Sequence, residues 1–414
     1  MSQLARRLTL PDAVAIGVAS MVGAGVFAVW GPAARAAGSW MLVGLALAAL
    51  VAWANATSSA QLAAQYPSAG GTYVYGRERL GSWPGYLAGW SFVVGKTASA
   101  AAMAMVFSAY WAPQGWAKPI AVGIIWVLCG INILGATRTA TAAKVLVTFA
   151  LVGILAALAT GWLTRAPAAT SAWVDASPYG VLQSAGLLFF AFAGYARIAT
   201  MGEEVIDPGR TIRRAILTAL TCTLVLYVVI GVTLLARVGV PALVDHPAPL
   251  TLLVGDHAVA RVVLVVGAAA ASAGALLGLL SGIGRTWLAM ARTGDLPRWF
   301  DHTGARYATP HRIELVLAAL LTLVVLVADL RGAIGFSSFG VLLYYLVANC
   351  AAWTQDAAHR QYHRAWQVVG AALCVVLVVT LPIGSVLGGL VVLAVGALWR
   401  LLAVRRPAAE EVAR

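Results

Sequence analysis

Apolar runs of about 20 residues follow one another along nearly the whole chain, and each is long enough to cross a hydrocarbon core about 30 Å thick. Twelve can be drawn, at 10–37, 40–65, 84–112, 117–136, 140–163, 177–202, 213–237, 258–291, 311–330, 333–355, 366–381 and 384–404. In lipid every backbone polar group needs an internal partner, so runs of this length fold as helices. Only Pro382 and Ile383 separate the last two runs, which read as two short spans or one re-entrant hairpin. Composition agrees, since 61% of the 414 residues are hydrophobic and 10% are charged. A soluble domain carries about 25% charged residues. A soluble enzyme, a disordered chain and a fibrous protein are therefore excluded.

The net charge of +13 does not mark a nucleic-acid binder, because no basic patch is interleaved with aromatics. With the N-terminus placed inside, the outer loops receive only Arg35, Lys118, Arg165, Arg237, Arg261 and Arg331 of the 28 Lys and Arg. Lys96 and Lys144 fall within runs, and the rest lie on the inner side. This bias predicts cytoplasmic termini. The first run lacks a cleavage site after it and reads as a retained helix. Cys129, Cys222, Cys350 and Cys374 sit inside apolar runs and read as small core residues.

Two runs carry glycine at their centre, the first at Gly23-Ala24-Gly25-Val26-Phe27 and the sixth at Phe190-Ala191-Phe192-Ala193-Gly194-Tyr195. Small residues also serve plain helix packing. Read together, the pair predicts discontinuous helices in two five-helix repeats of inverted topology. A break exposes amides that favour an anion and carbonyls that favour a cation. A zwitterionic amino acid fits both. The amides of Ala24 and Gly25 are expected to hold its carboxylate, and the carbonyls of Met21, Phe190 and Ala193 its ammonium. Phe190, Phe192 and Tyr195 are expected to cap it beside Gly194.

Lys96 lies about 18 Å into the third run by helix rise. It reads either as a lysine solvated by carbonyls between helices, or as a site residue that titrates or attracts a substrate carboxylate. Lys144 lies about 6 Å into the fifth run and reads either as snorkelling or as functional. Arg197, Glu203, Glu204 and Arg285 form an inner gate or anchor the interface. The fifteen acidic residues fall in loops or near helix ends. Asn55, Thr57 and Asn132 read as interhelical hydrogen-bonding groups. The stretch 239–257 is the longest outer loop and carries three prolines. No metal site and no cofactor are expected.

These segments resemble the amino acid–polyamine–organocation (APC) transporter superfamily over most of the chain. Gly23-Ala24-Gly25-Val26-Phe27 is similar to its G-(S/A/T)-G-(I/V)-F. Tyr66-Pro67-Ser68-Ala69-Gly70-Gly71, with Tyr73, is similar to its YPxAGG-Y. The stretch from Phe189 through Glu203, Glu204 and Pro208 resembles its sixth-span signature. Arg285 through Pro297 resembles its R-x-x-x-A-x-A-R-D-G-x-L-P.

The resemblance implies an all-α membrane protein of LeuT-type five-plus-five fold, with discontinuous helices 1 and 6 and two further helices. Its segments are 1–165, 166–356 and 357–414. It implies secondary transport of amino acids across the inner, cytoplasmic membrane by alternating access. It also implies that Lys144 stands where sodium-coupled relatives hold a cation. Ala196 replaces a common family glutamate, and Arg213 a proline. These departures look like bacterial sodium-independent, proton-coupled permeases of broad specificity. The expected partners are an amino acid, protons and the bilayer, with no nucleic acid and the oligomeric state open. Uptake, export and exchange all remain compatible with this pattern. A channel, or an enzyme embedded in the membrane, fits it less well.

Overall fold

The computed structural model describes residues 8–23, 25–66, 70–135, 140–164, 174–199, 201, 204–244, 246–304 and 309–404. The described residues form helices and connecting turns. The first apolar run holds α1 (Leu10–Met21), α2 (Gly25–Ala28) and α3 (Trp30–Ala37). It leads into α4 (Met41–Gln65), the loop helix α5 (Thr72–Leu80), α6 (Ser82–Trp111), α7 (Ala117–Ile133) and α8 (Ala140–Leu163). The sixth run holds α9 (Pro178–Phe192) and α10 (Ala196–Ala199), followed by α11 (Pro208–Arg237). Two short helices, α12 (Val240–Leu243) and α13 (Thr251–Val254), precede α14 (Ala258–Arg292). The chain ends with α15 (His311–Val327), α16 (Leu330–Trp353), α17 (Arg364–Thr380) and α18 (Ile383–Val404).

Nine helices among the described residues are long and apolar enough to cross a membrane. The remaining runs hold α7, α15 and α17, of 17 residues each, or about 25 Å at 1.5 Å per residue. The last two runs are separate helices that part at Pro382.

Local chemistry sets the helix ends. Thr9 and Asp12 close a capping box at the start of α1, and Ser177 caps α9 through the Gly180 amide. Proline opens α9 and α11, where its missing N–H costs nothing.

Packing repeats a pattern along the chain. Helix α3 packs on α9, α4 on α11, α6 on α14 and α7 on α15. In each case a run meets the run five places later. Two crossings bring backbones into contact at paired glycines. A Cβ at Gly95 of α6 would lie 3.1 Å from the Gly340 Cα of α16. A Cβ at Gly153 of α8 would lie 3.2 Å from the Gly267 Cα of α14. Close approach of this kind drives helix association where lipid offers no hydrophobic gain.

Candidate functional site

The two glycine breaks face each other at the centre of the packing. In the first, α1 stops at Met21 and the chain turns at Val22 and Gly23 before α2 begins. In the second, α9 tightens into a 3₁₀ turn over Ala193–Tyr195 before α10. The expectation of an unwound sixth span is thus corrected, because i→i+3 bonding tightens the segment and its backbone stays coiled.

The approach is reciprocal. A Cβ at Gly25 would lie 3.0 Å from the Ala191 Cα, and one at Gly194 would lie 2.2 Å from the Ser20 carbonyl oxygen. At Gly194 glycine is required because backbone stands where a side chain would go, and at Gly25 a side chain would press on the α9 backbone. Gly23 meets α14 at a side chain instead, since a Cβ there would lie 2.9 Å from the Ala275 methyl.

Tyr227 of α11 ties the breaks together. Its hydroxyl donates to the Met21 carbonyl at 2.8 Å and lies 3.1 Å from the Ala191 carbonyl. A phenol in an apolar helix needs such a partner. The Met21 carbonyl, expected to meet a substrate ammonium, therefore already accepts a bond from this chain. The Ala193 carbonyl does too, since the buried Lys96 ammonium donates to it at 3.3 Å. Beyond the first break, Tyr110 donates to the Phe27 carbonyl at 2.8 Å.

The expected aromatic caps divide. Phe190 stands beside Gly25, with ring carbon Cδ1 3.4 Å from the position of a Cβ there. Phe192 packs on Tyr227, with ring centroids 5.0 Å apart. Tyr195 stacks on Tyr345 of α16 at 5.2 Å. Ala24 lies outside the described residues, as does Glu203 of the expected gate. Arg197 lies within electrostatic reach of Arg285 and Glu204.

Lys144 reaches the first span, but at the N-terminal end of α1. Its ammonium pairs with Asp12 at 2.6 Å, with 49% of the lysine side chain exposed. Met21 lies nine residues further along α1, or about 14 Å by helix rise. Asn55 accepts a hydrogen bond from Asn349 of α16 at 2.6 Å, whereas Thr57 bonds its own helix at Ala54. Cys129 and Cys374 are buried, while Cys222 and Cys350 are exposed, so two of the four face outward rather than into the core.

Sequence reasoning missed three groups. Tyr227 is one, although a lone tyrosine in an apolar run was a usable signal. Asp295, in the Gly294-Asp295-Leu296-Pro297 motif, is the second. It pairs with Arg77 of the loop helix at 2.8 Å and with Arg400 of α18, and accepts from Tyr73 at 2.7 Å. It thereby joins α5, the end of α14 and α18 on the side assigned as inner. The third is Glu314, which is 1% exposed at the start of α15; Oε1 lies 2.7 Å from where a Cβ at Gly284 would sit. After α11, the chain around α12 and His246 rests on α3. The carbonyls of Leu243 and His246 stand 3.0 and 3.1 Å from the position of a Cβ at Gly31.

Residues 8–401 match the amino acid permease family. A protein of Mycobacterium bovis and one of Mycobacterium tuberculosis, both named as uncharacterized transporters, are each 50% identical over 399 residues, covering 95% of this chain and 90% of theirs. An Arabidopsis thaliana protein named cationic amino acid transporter 3, mitochondrial, is 27% identical over 378 residues. That match covers 83% of this chain and 61% of the plant protein. With its apolar helices and broken first span, the chain belongs to the amino acid permease family, and is a multi-pass membrane transporter rather than an enzyme.

Proposed function

We propose that the chain is a secondary transporter that carries amino acids across the cytoplasmic membrane by alternating access, without sodium and driven by protons. The observation that carries this reading is the reciprocal crossing of the two glycine breaks at Gly25 and Gly194. Such a crossing gathers backbone amides and carbonyls at one point between two helices, as recognition of a zwitterion requires. The substrate-contacting residues are Met21, Ala24, Gly25, Phe190, Ala193 and Gly194, with Phe192 and Tyr195 bracing them from behind.

Twelve spans in two inverted repeats, 1–165 and 166–356, followed by 357–414, account for the packing. An inverted repeat sets each span against its counterpart five places on, as α4 is set on α11 and α6 on α14. It also turns the α6–α16 glycine crossing into the counterpart of the α14–α8 crossing. The sparse outer arginines support cytoplasmic termini.

The Asp12–Lys144 pair is the coupling link, since it joins the inner half of the first span to α8. Lys96 holds the second break as a fixed charge. Arg197, Glu204 and Arg285, with Glu203, form the inner gate. A cationic side chain, the class in the plant relative's name, meets the Lys96 ammonium head-on at the second break.

The test is uptake of labelled amino acids into proteoliposomes in sodium-free buffer, with and without an inward proton gradient. Accumulation that follows the gradient supports the reading. Flux only into preloaded vesicles makes the chain an exchanger, and a strict sodium requirement overturns the coupling.

A further inference from the structure

Lys96 is 7% exposed and lies in the middle of α6. None of the ion pairs among the described residues includes it. An ammonium offers three donors, and the Ala193 carbonyl occupies one. The helix that carries it is fixed in place. Gly95 lies against the Gly340 backbone, and one turn on, the Ser99 and Ser337 hydroxyls are 2.5 Å apart. Lys96 is therefore anchored beside the second break, in the buried interior. A buried charge without a counter-ion is costly, and a ligand that supplies one is correspondingly favoured.

Further along the sixth run, charges of both signs gather. Arg197, three residues past Gly194, lies within reach of Arg285, and Glu204 is the acidic group near it. Both signs are therefore present below the break, and discrimination by charge rests on Lys96 alone.

We infer that Lys96 binds a side-chain carboxylate, so that the preferred cargo is an acidic amino acid and cationic amino acids are rejected. The inference rests on the reading of the two breaks as the substrate seat. The α-carboxylate and α-ammonium stay with the backbone groups of the breaks, and the second carboxylate completes the coordination of Lys96. A charge-assisted bond of this kind is short and directional. A lysine or arginine side chain would instead set two ammonium-type charges together in a low dielectric, which discriminates by repulsion.

The test uses the full chain in proteoliposomes with labelled glutamate, aspartate, leucine and arginine. Glutamate and aspartate are expected to outcompete leucine, and arginine not to compete. Lys96→Met is expected to lower the glutamate-to-leucine flux ratio about 10- to 100-fold, the usual loss for a hydrogen bond to a charged group. Lys96→Arg keeps the charge and is expected to retain acidic preference. Arginine uptake equal to that of glutamate overturns the inference, as does an unchanged ratio in Lys96→Met. If Lys96→Met fails to insert, competition between glutamate and arginine in the unaltered chain decides the matter alone. Absence of flux for every amino acid overturns the parent reading instead, so the two failures are distinct.

Discussion

Gly194→Ala is the sharpest perturbation of the crossing. The added Cβ would lie 2.2 Å from the Ser20 carbonyl oxygen, 2.4 Å from its carbon and 2.7 Å from the Met21 nitrogen. Ordinary non-bonded contact is about 3.5 Å, so the broken helices would have to part by about 1.3 Å. The opposing atoms are backbone, so no rotamer change relieves the clash. Overpacking costs typically 1–3 kcal/mol, and this site belongs at the upper end. About 3 kcal/mol corresponds to a loss of roughly 100-fold in the closed arrangement. The assay is the initial uptake rate in proteoliposomes, beside the melting temperature of the purified chain. Gly194→Ala is expected to transport at a few per cent of the normal rate and to melt earlier. Gly209→Ala, where nothing lies within 4 Å, serves as the control and is expected to change neither. Normal transport and melting in Gly194→Ala would refute the crossing as the working seat.

Tyr227→Phe keeps the ring contact with Phe192 but removes the hydroxyl shared by Met21 and Ala191. It is expected to cost about 0.6–1.7 kcal/mol, the range for hydrogen bonds inside membrane proteins; a melting curve identical to the parent's would contradict this. Lys144→Ala removes a half-exposed pair and is expected to shift stability by no more than about 1 kcal/mol. It is also expected to abolish proton-driven accumulation while exchange persists, and gradient-driven uptake at the normal level would sink the coupling assignment. Burial holds the His246 imidazole below its ordinary value of 6.5. The undocked loop therefore binds a proton more readily than the docked one, and docking weakens as pH falls below 6.5. Protection of the 246–257 amides, taken relative to their intrinsic exchange rates at each pH, is expected to fall from pH 7.5 to 5.5, and His246→Gln to flatten that change.

The helices and both breaks were legible because lipid imposes a run length and glycine marks where it is interrupted. The pairing of Lys144 was also within reach. Asp12 is the third residue of α1 and Lys144 the fifth of α8, and both helices start from the side assigned as inner. Their depths therefore match, and a carboxylate and an ammonium at one depth find each other. The partner of Lys96 was not legible. It depends on the rotation of α6 and on how far α9 advances before its turn, and neither is written locally. Tyr195 illustrates the same limit, because its stacking on Tyr345 joins residues 150 positions apart in the chain. The 3₁₀ character of the second break was hidden too, since Ala193-Gly194-Tyr195 permits a tightened turn as readily as an open one. Asp295 sits in a loop motif, and only the return of α18 shows that the motif is an anchor.

The segment before α1 is bonded to the segment after α10. Leu8 donates to the Glu204 carbonyl and accepts from the Ile206 amide, both at 3.0 Å. Gly17 and Ile198 bring α1 and α10 together nearer the breaks, since a Cβ at Gly17 would strike the end of Ile198. Helix α1 and the segment from α10 to Ile206 are thus clasped at two points into one lever arm. Under the proposed alternating access, opening on this side is then a single swing rather than two separate ones, with one rate to measure. A label fixed at Leu8 rides on that arm and reports its angle.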